Sequence, residues 1–216
     1  MNKIITIFLC VLFTAQINAF ACDRTFSVAS HDAFWPPYVI GMSNVFKGTE
    51  VRHGRIDLGW AGSYTEKRAK YAHYTVSYRT EVMRLYENKN NTHVVKSLAD
   101  IFDQGLTIGA NFGSYYGEEF EQYKTTHKKQ IEYTSATSKR FEMLNKQRID
   151  FAIEDELVGA YFAKENSNIK LVTNIEYVNK DDIYLMFSKK TVSINELKII
   201  NKHIKNNEAA LKAIFE

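Results

Sequence analysis

The sequence has 216 residues, and its 28 Lys and Arg against 25 Asp and Glu give a formal net charge of +3. Both signs are mixed along the chain without a basic block, which argues against nucleic acid as a partner. No stretch beyond the N-terminus approaches about 18 consecutive apolar residues, so no transmembrane helix is predicted. A chain of this length can bury a sizeable core as one domain or as two small lobes.

The N-terminus has the pattern of a cleavable export signal. Lys3 gives a positive start, residues 4–13 form an apolar run too short to span a bilayer, and residues 19–21 (AFA) have a small-x-small pattern. We expect removal of residues 1–21. A buried N-terminal helix is the alternative interpretation. Cys22 would then begin the mature chain, where a free thiol is favoured over a lipid anchor.

Strand and helix patterns alternate along the rest of the chain, which favours an α/β fold with a largely parallel sheet. The predicted strands are residues 25–30, 56–61, 80–86, 106–110, 131–134, 149–153, 170–173 and 182–187. The predicted helices are residues 97–102, 116–123, 139–146 and 156–164, followed by one or two amphipathic helices over 194–215.

A short internal repeat indicates two similar lobes. The triplet Arg-Ile-Asp occurs at residues 55–57 and again at 148–150, and each copy precedes an apolar strand, a polar loop and a helix. The two polar loops are residues 62–65 and 154–156. Because ligands lie beyond the carboxyl ends of strands in open parallel sheets, two lobes facing each other through these loops would form a cleft.

The chain has two prolines, and both lie in residues 34–38 (FWPPY). They predict a stiff, extended segment directly after the first strand. Its three aromatic side chains are equally consistent with a ligand wall and with a hydrophobic plug at the end of the core.

The sequence has no recognisable catalytic or metal signature. It lacks a G-x-S-x-G elbow, a P-loop, a G-x-G-x-x-G turn and an H-E-x-x-H helix. Its six histidines are scattered without metal-ligand spacing. We therefore expect neither an enzyme nor a cofactor or metal.

Several short motifs follow one another in a specific order. They are residues 35–38 (WPPY), 55–57 (RID), 63–70 (SYTEKRAK), 77–79 (SYR), 97–100 (SLAD), 108–109 (IG), 113–115 (GSY), 148–150 (RID) and 154–155 (ED). In this order they resemble the type-two periplasmic solute-binding proteins, specifically the amino-acid-binding branch, the bacterial extracellular solute-binding family 3. The resemblance covers nearly all of the chain after the signal.

The resemblance implies a type II periplasmic-binding-protein-like fold with two lobes, each a mostly parallel sheet flanked by helices. Lobe one would comprise residues 22–86 and 187–216, and lobe two residues 87–186. The hinge crossings would lie near Tyr86 and near Tyr184. Residues 41–53 are too few for the helix, strand and second helix that the family has there, since one βαβ unit takes about 30 residues. The first lobe is therefore expected to be truncated.

The resemblance also implies a ligand site, residue by residue. Ser63 and Arg68 would hold a ligand carboxylate, which a guanidinium can pair bidentately. Asp155 would bind the ligand ammonium, although Glu154 and Glu156 flank it and the register could differ by one. The alternative, purely structural roles are a surface ion pair for Arg68 and stabilisation of the helix dipole for the acidic residues. The remaining implied contacts are Asp32, Trp35, Tyr64, Ser114 and Tyr115.

By resemblance, the protein would be a periplasmic binding protein that captures a small zwitterion, such as an amino acid. Its partner would be the permease of an inner-membrane ABC-type transporter or a membrane-bound sensor. Two alternatives remain open. One is a lyase or dehydratase on the same scaffold, with Asp155 or Glu154 as general acid. The other is a degenerate binding protein that has lost its ligand.

Overall fold

The computed structural model describes residues 24–29, 34–35, 39–40 and 49–215. The predicted export signal, Cys22 and Asp32 lie outside these residues. None of the helices in the described part of the chain is long and apolar enough to cross a membrane.

Strands and helices alternate as the sequence predicts. The strands are β1 (Val28–Ala29), β2 (Phe34–Trp35), β3 (Val39–Ile40), β4 (Leu58–Ser63), β5 (Ala72–Tyr74), β6 (Arg79–Asn88), β7 (Ile108–Asn111), β8 (Ile131–Thr134), β9 (Phe151–Asp155), β10 (Ile169–Leu171) and β11 (Asn179–Ser188). The helices are α1 (Thr49–His53), α2 (Glu66–Ala69), α3 (Leu98–Asp103), α4 (Glu118–Thr126), α5 (Thr137–Asn145), α6 (Glu156–Glu165), α7 (Ile194–Asn206) and α8 (Glu208–Phe215). A 3-10 turn, Lys128–Gln130, precedes β8.

One mixed sheet runs through the molecule in the order β1-β4-β11-β6-β9-β7-β8. The parallel pairs are β1–β4, β7–β8 and β7–β9. The long strands β6 and β11 run antiparallel to each other and to their other neighbours, including β10 and β5. The sheet is therefore mixed, and the expectation of mostly parallel sheets is wrong. Strands β6 and β11 cross from one half into the other, and they run antiparallel to the strands that they pair with in each half.

Strands β6 and β11 divide the described chain into two halves. The first half contains β1, β4, β5 and the end of β11, whereas the second contains β7 to β10 and the end of β6. The halves meet where residues 79–83 pair with residues 179–183. Tyr86 and Glu87 lie beyond this crossing, paired with Ala152 and Phe151 of the second half.

The two halves differ in the size of their cores. The main core of the second half joins sixteen buried residues, among them the fully buried Ile101, Ile108, Phe120 and Phe151. Within the residues that the structure describes, the first half has two small clusters, one around Val51, Ala72 and Met186 and the other around Phe187, Val192 and Leu197. Among the described strands, β1 lies at the sheet edge, and Val28 on it is 54% exposed.

Most residues of the two polar loops predicted from the sequence belong to strands or to a helix. Strand β9 runs to Asp155 and α6 begins at Glu156, so the predicted loop 154–156 is a direct strand-to-helix junction. Strand β4 likewise continues to Ser63. Charged and polar residues can belong to the end of a strand when they have buried partners. Because the sequence does not show those partners, these residues were predicted to lie in loops.

Candidate functional site

A cavity of about 60 Å³ lies between the two halves. One water needs about 10–15 Å³ of such space, so the cavity has room for a few waters. The described residues lining it are Ala61, Ser63, Arg68, Glu81, Met83, Asn111, Ser114, Tyr115, Tyr116, Ser135, Thr137, Arg140 and Glu154. Four of these side chains are two arginines and two glutamates, so groups of both signs are present, which suits a ligand carrying both charges.

Helix α2 positions Arg68 at the cavity. Thr65 caps the helix, and its hydroxyl accepts a hydrogen bond from the Arg68 backbone N–H at 3.2 Å. The guanidinium then donates to two backbone carbonyls, to Ser63 from Nη1 at 3.0 Å and to Gly113 from Nη2 at 3.1 Å. Because Gly113 belongs to the second half, this side chain spans the cleft.

Strand β4 is irregular where it meets the cavity. Ala61 has a φ of 54°, in the left-handed region, and the pairing of β4 with β11 shifts register next to it. The Ala61 N–H donates to the Tyr78 hydroxyl at 3.1 Å, and burial raises the pKa of Tyr78 to about 12. A bulge of this kind redirects neighbouring side chains, and strained backbone is often found at binding sites.

The loop between β7 and α4 forms the wall of the second half. The Asn111 side-chain amide donates to the Ser114 hydroxyl at 2.8 Å, and the Asn111 backbone N–H donates to the Tyr116 hydroxyl at 2.7 Å. Lys124 donates to the Ser114 carbonyl at 2.5 Å. These bonds fix Ser114 and Tyr115 at the cavity. Helix α4 begins two residues later than predicted, after Gly117, whose φ of 90° favours glycine.

A buried ion pair forms the deep wall on the same side. Arg140 of α5 is 1% exposed and pairs with Glu154 of β9. The Thr137 hydroxyl donates to the same carboxylate at 3.0 Å, and Arg140 also donates to the Thr134 hydroxyl at 3.3 Å. Breaking such a pair leaves a buried charge without its partner, which is strongly destabilising. The pair therefore holds Arg140 and Glu154 in place at the cavity wall.

Asp155 lies on the other face of β9, because successive side chains of a strand point in opposite directions. One carboxylate oxygen accepts from Arg79 Nη1 at 3.1 Å. The other caps α6, accepting from the backbone N–H groups of Leu157 and Val158 at 3.0 and 3.2 Å. Among the acidic residues that the sequence offered at this junction, the one lining the cavity is Glu154.

Glu81 of β6 supplies a second carboxyl group to the cavity. It is 6% exposed, and one oxygen accepts from Arg79 Nη2 at 3.2 Å. Burial raises the pKa of Glu81 to about 8; Arg79 opposes this rise, and the Asp155 and Glu154 carboxylates add to it. The Glu81 carboxyl group is therefore mostly protonated at neutral pH in the unliganded protein.

The sequence matches no protein-family model and no curated protein. Its fold, in contrast, is similar to many solved structures. An ancestral arginine-binding protein bound to glutamine matches with a TM-score of 0.72 and 19% identity, over 89% of this chain and 97% of that one. A histidine kinase sensor domain with similarity to periplasmic binding proteins matches with a TM-score of 0.71 and 15% identity, over 88% and 95%.

A third similar structure is the substrate-binding protein of an amino acid ABC transporter, with a TM-score of 0.61 and 17% identity, over 80% of this chain and 76% of that one. The chain has the type II periplasmic-binding-protein fold. The binding-protein fold that the sequence motifs implied is thereby confirmed over most of the chain.

The binding-protein fold brings together four of the eight residues implied as ligand contacts. Ser63, Arg68, Ser114 and Tyr115 all line the cavity. Tyr64 is 51% exposed and packs on Tyr74, with ring centroids 5.1 Å apart, away from the lining.

The other three residues are placed differently. Asp155 is buried beside the cavity with the partners given above. Asp32 lies outside the described residues. Trp35 belongs to β2, which pairs with β3 and lies next to α5; its side chain is outside what the structure describes.

Three charged lining residues were missed as ligand contacts or named only as neighbours: Glu81, Arg140 and Glu154. Glu81 and Arg140 each have a sequence signal. Glu81 shares a strand face with Met83 and Leu85, and Arg140 shares a helix face with Thr137 and Leu144. A charged residue on an otherwise buried face needs a partner or a function.

Proposed function

We propose that the protein captures a small zwitterion, such as an amino acid, in the cavity between its two halves. The observation that carries this proposal is that one cavity is lined by Arg68 from the first half and by the carboxyl groups of Glu81 and Glu154 from the crossing strand and the second half. A ligand with a carboxylate and an ammonium group can meet both kinds of charge at once.

In this proposal, Arg68 and Ser63 receive the ligand carboxylate. The Arg68 guanidinium already donates to two carbonyl oxygens, so it can turn the same two N–H groups toward the two oxygens of a carboxylate. Ser114 and Tyr115 close the other side of the cleft. The ammonium would face the acidic wall. Asp155, implied for that role by the motifs, stays a prediction that mutagenesis must test.

We further propose that the lobes, residues 22–86 with 187–216 and residues 87–186, move about the crossing strands when the ligand enters. The bond from Arg68 to Gly113 bridges described walls of the cavity that belong to different halves, and its loss would remove one contact that holds the halves together. The proposed partner is a transporter permease or a membrane sensor, because solved proteins of this fold include components of both kinds.

A thermal-shift screen of purified protein with the standard amino acids tests the proposed function. We expect one amino acid, or a chemically related group, to raise the unfolding temperature in a concentration-dependent way, since ligands that bind only the folded state stabilise it. Recovering that ligand unchanged would separate binding from turnover. The absence of any shift across the screen would support the degenerate alternative.

Export and periplasmic localisation are proposed from the sequence. Mass analysis of the N-terminus of the secreted protein should show loss of residues 1–21. A lipid-sized increment on Cys22 would indicate the anchored form, and a full-length cytoplasmic product would contradict export.

A further inference from the structure

Glu81 stands on the strand segment that joins the two halves. It lies in the part of β6 that pairs with β11, directly opposite Asp181, and its side chain lines the cavity. At 6% exposure it is shielded from bulk water. A carboxyl group at this position interacts electrostatically both with a ligand in the cleft and with the other charged groups near the crossing strands.

Among the described side chains that are about nine-tenths buried or more, the charges around Glu81 do not balance, and the less buried Arg68 is a third guanidinium at the cavity. Two guanidinium groups, those of Arg79 and Arg140, lie among three carboxyl groups, those of Glu81, Glu154 and Asp155. The charged or titratable described groups that face Glu81 are Arg79 and Tyr78 on its own segment, Glu154 and Asp155 on β9, Asp181 on β11, Arg68 on α2 and Arg140 on α5. Helix α8 adds Phe215, whose ring lies over Arg79 with the guanidinium carbon 5.6 Å from its centroid.

The spare negative charge has two ways to be neutralised. A proton on Glu81 does so in the unliganded protein, and a cation in the cavity would do so in the complex. Arg68 does not fill this role in the proposed complex, because its guanidinium is assigned to the ligand carboxylate.

We propose that the Glu81 carboxyl group is a cation site that exchanges its proton for the ammonium or guanidinium group of the ligand, so that binding releases a proton to the solvent. The inference rests on the proposed function and deepens it. In the exchange, the O–H bond of Glu81 breaks, the proton passes to the buffer, and the carboxylate pairs with the cationic nitrogen of the ligand. No other bond changes.

The protonation state of Glu81 agrees with this exchange. Burial raises its pKa to about 8, so the group holds its proton at pH 7 in the unliganded protein. A cation a few ångströms away favours the ionised form and lowers the pKa again. The ligand therefore competes with the proton, and ligand affinity should rise with pH up to about 8.

Calorimetry in buffers of different ionisation enthalpy counts the protons released. The probe is the amino acid that gives the largest thermal shift, titrated at pH 7 in phosphate and in Tris. We expect wild-type protein to release close to one proton per ligand at pH 7 and about half a proton at pH 8, where half of the Glu81 groups are already ionised.

Two variants make the result specific. Glu81→Gln cannot release a proton at this position, so its proton count should fall to near zero. Glu87→Gln is the matched control, because Glu87 lies on the same strand but pairs with Lys170 at 3.3 Å, at the far end from the cavity. It should release as many protons as wild type.

The possible outcomes separate a failure of the proton-exchange inference from a failure of the proposed function. Binding without proton release in wild type, or release that persists in Glu81→Gln, would overturn this inference and leave the proposed function intact. Binding of no amino acid at all would overturn the proposed function first. If Glu81→Gln does not fold, the fall in proton count between pH 7 and pH 8 in wild type still tests the inference.

Discussion

Arg68 and Gly113 join the two halves of the protein through one hydrogen bond of 3.1 Å, donated by the guanidinium Nη2 to the backbone carbonyl. The same guanidinium donates from Nη1 to Ser63 in its own half. A ligand carboxylate entering here would compete with both carbonyl oxygens. Arg68 would then contribute twice, by bridging the halves when the cleft is empty and by pairing with the ligand when it is filled.

Replacing Arg68 with alanine should weaken ligand binding. Removing the guanidinium leaves the ligand carboxylate without its partner in the cleft, which costs on the order of 2–5 kcal/mol, or roughly 30-fold to several-thousand-fold in affinity. Calorimetry on Arg68→Ala measures the loss directly.

Lys67→Ala is the matched control for Arg68→Ala. Lys67 is the preceding residue on α2, carries the same charge and is exposed. An equal loss of affinity in both variants would point to net charge rather than to a specific contact, and unchanged affinity in Arg68→Ala would remove Arg68 from the site.

Replacing Asp155 should affect stability more than binding. Asp155→Asn keeps a side-chain oxygen that can cap α6 but loses the charge that pairs with Arg79, which we expect to cost about 2 kcal/mol of unfolding free energy. Asp155→Ala also removes the cap and should cost about 1 kcal/mol more. Urea denaturation measures both differences.

The motifs make a contrary prediction for Asp155, because they imply a contact with the ligand ammonium. A loss of affinity beyond about tenfold in Asp155→Asn, at unchanged stability, would support that role. A stable Asp103→Asn variant is a suitable control, since Asp103 is an exposed carboxylate at the end of α3.

The titration of Glu81 should make stability depend on pH. Its pKa of about 8 in the folded protein lies above the ordinary value of 4.5, so its contribution to stability is fully present below pH 4.5 and is lost as the pH rises through 8. Between these limits the unfolding free energy of wild type should fall by up to about 1.4 kcal/mol per pH unit relative to Glu81→Gln. Parallel pH profiles for the two proteins would contradict the shifted titration.

The first half should exchange its amide hydrogens faster than the second. Its described core consists of two small clusters, whereas the second half has a core of sixteen buried residues beside a smaller cluster. Local opening costs less free energy where less apolar surface is buried. Hydrogen exchange should therefore be faster at Val28 and Leu58 than at Ile108 and Phe151. Equally slow exchange in a monomer would show that the first half is as fully packed as the second.

Much of the fold was predictable because apolar periodicity reports burial directly. The strands around Ile108, Ile131 and Phe151 and the helix around Phe141 lie where their patterns place them. The strand directions were not predictable in the same way. Residues 79–83 and 179–183 pair across about a hundred positions of sequence, and nothing local fixes that they run antiparallel.

The site was predictable where a motif carries its own geometry. Thr65 caps the helix that presents Arg68, and this arrangement depends on neighbours in sequence. Asp155 depends instead on which strands pair, because it meets Arg79 of β6 only when β6 lies beside β9. A register change of one residue on β9 exchanges the sheet faces on which Glu154 and Asp155 lie.

A crystal structure grown with the amino acid that gives the largest thermal shift tests the central claim most directly. We expect one amino acid between the two halves, with its carboxylate on Arg68 and its cationic group beside Glu81. Density for the amino acid outside this cleft, or within it but with its carboxylate turned away from Arg68, would contradict the account.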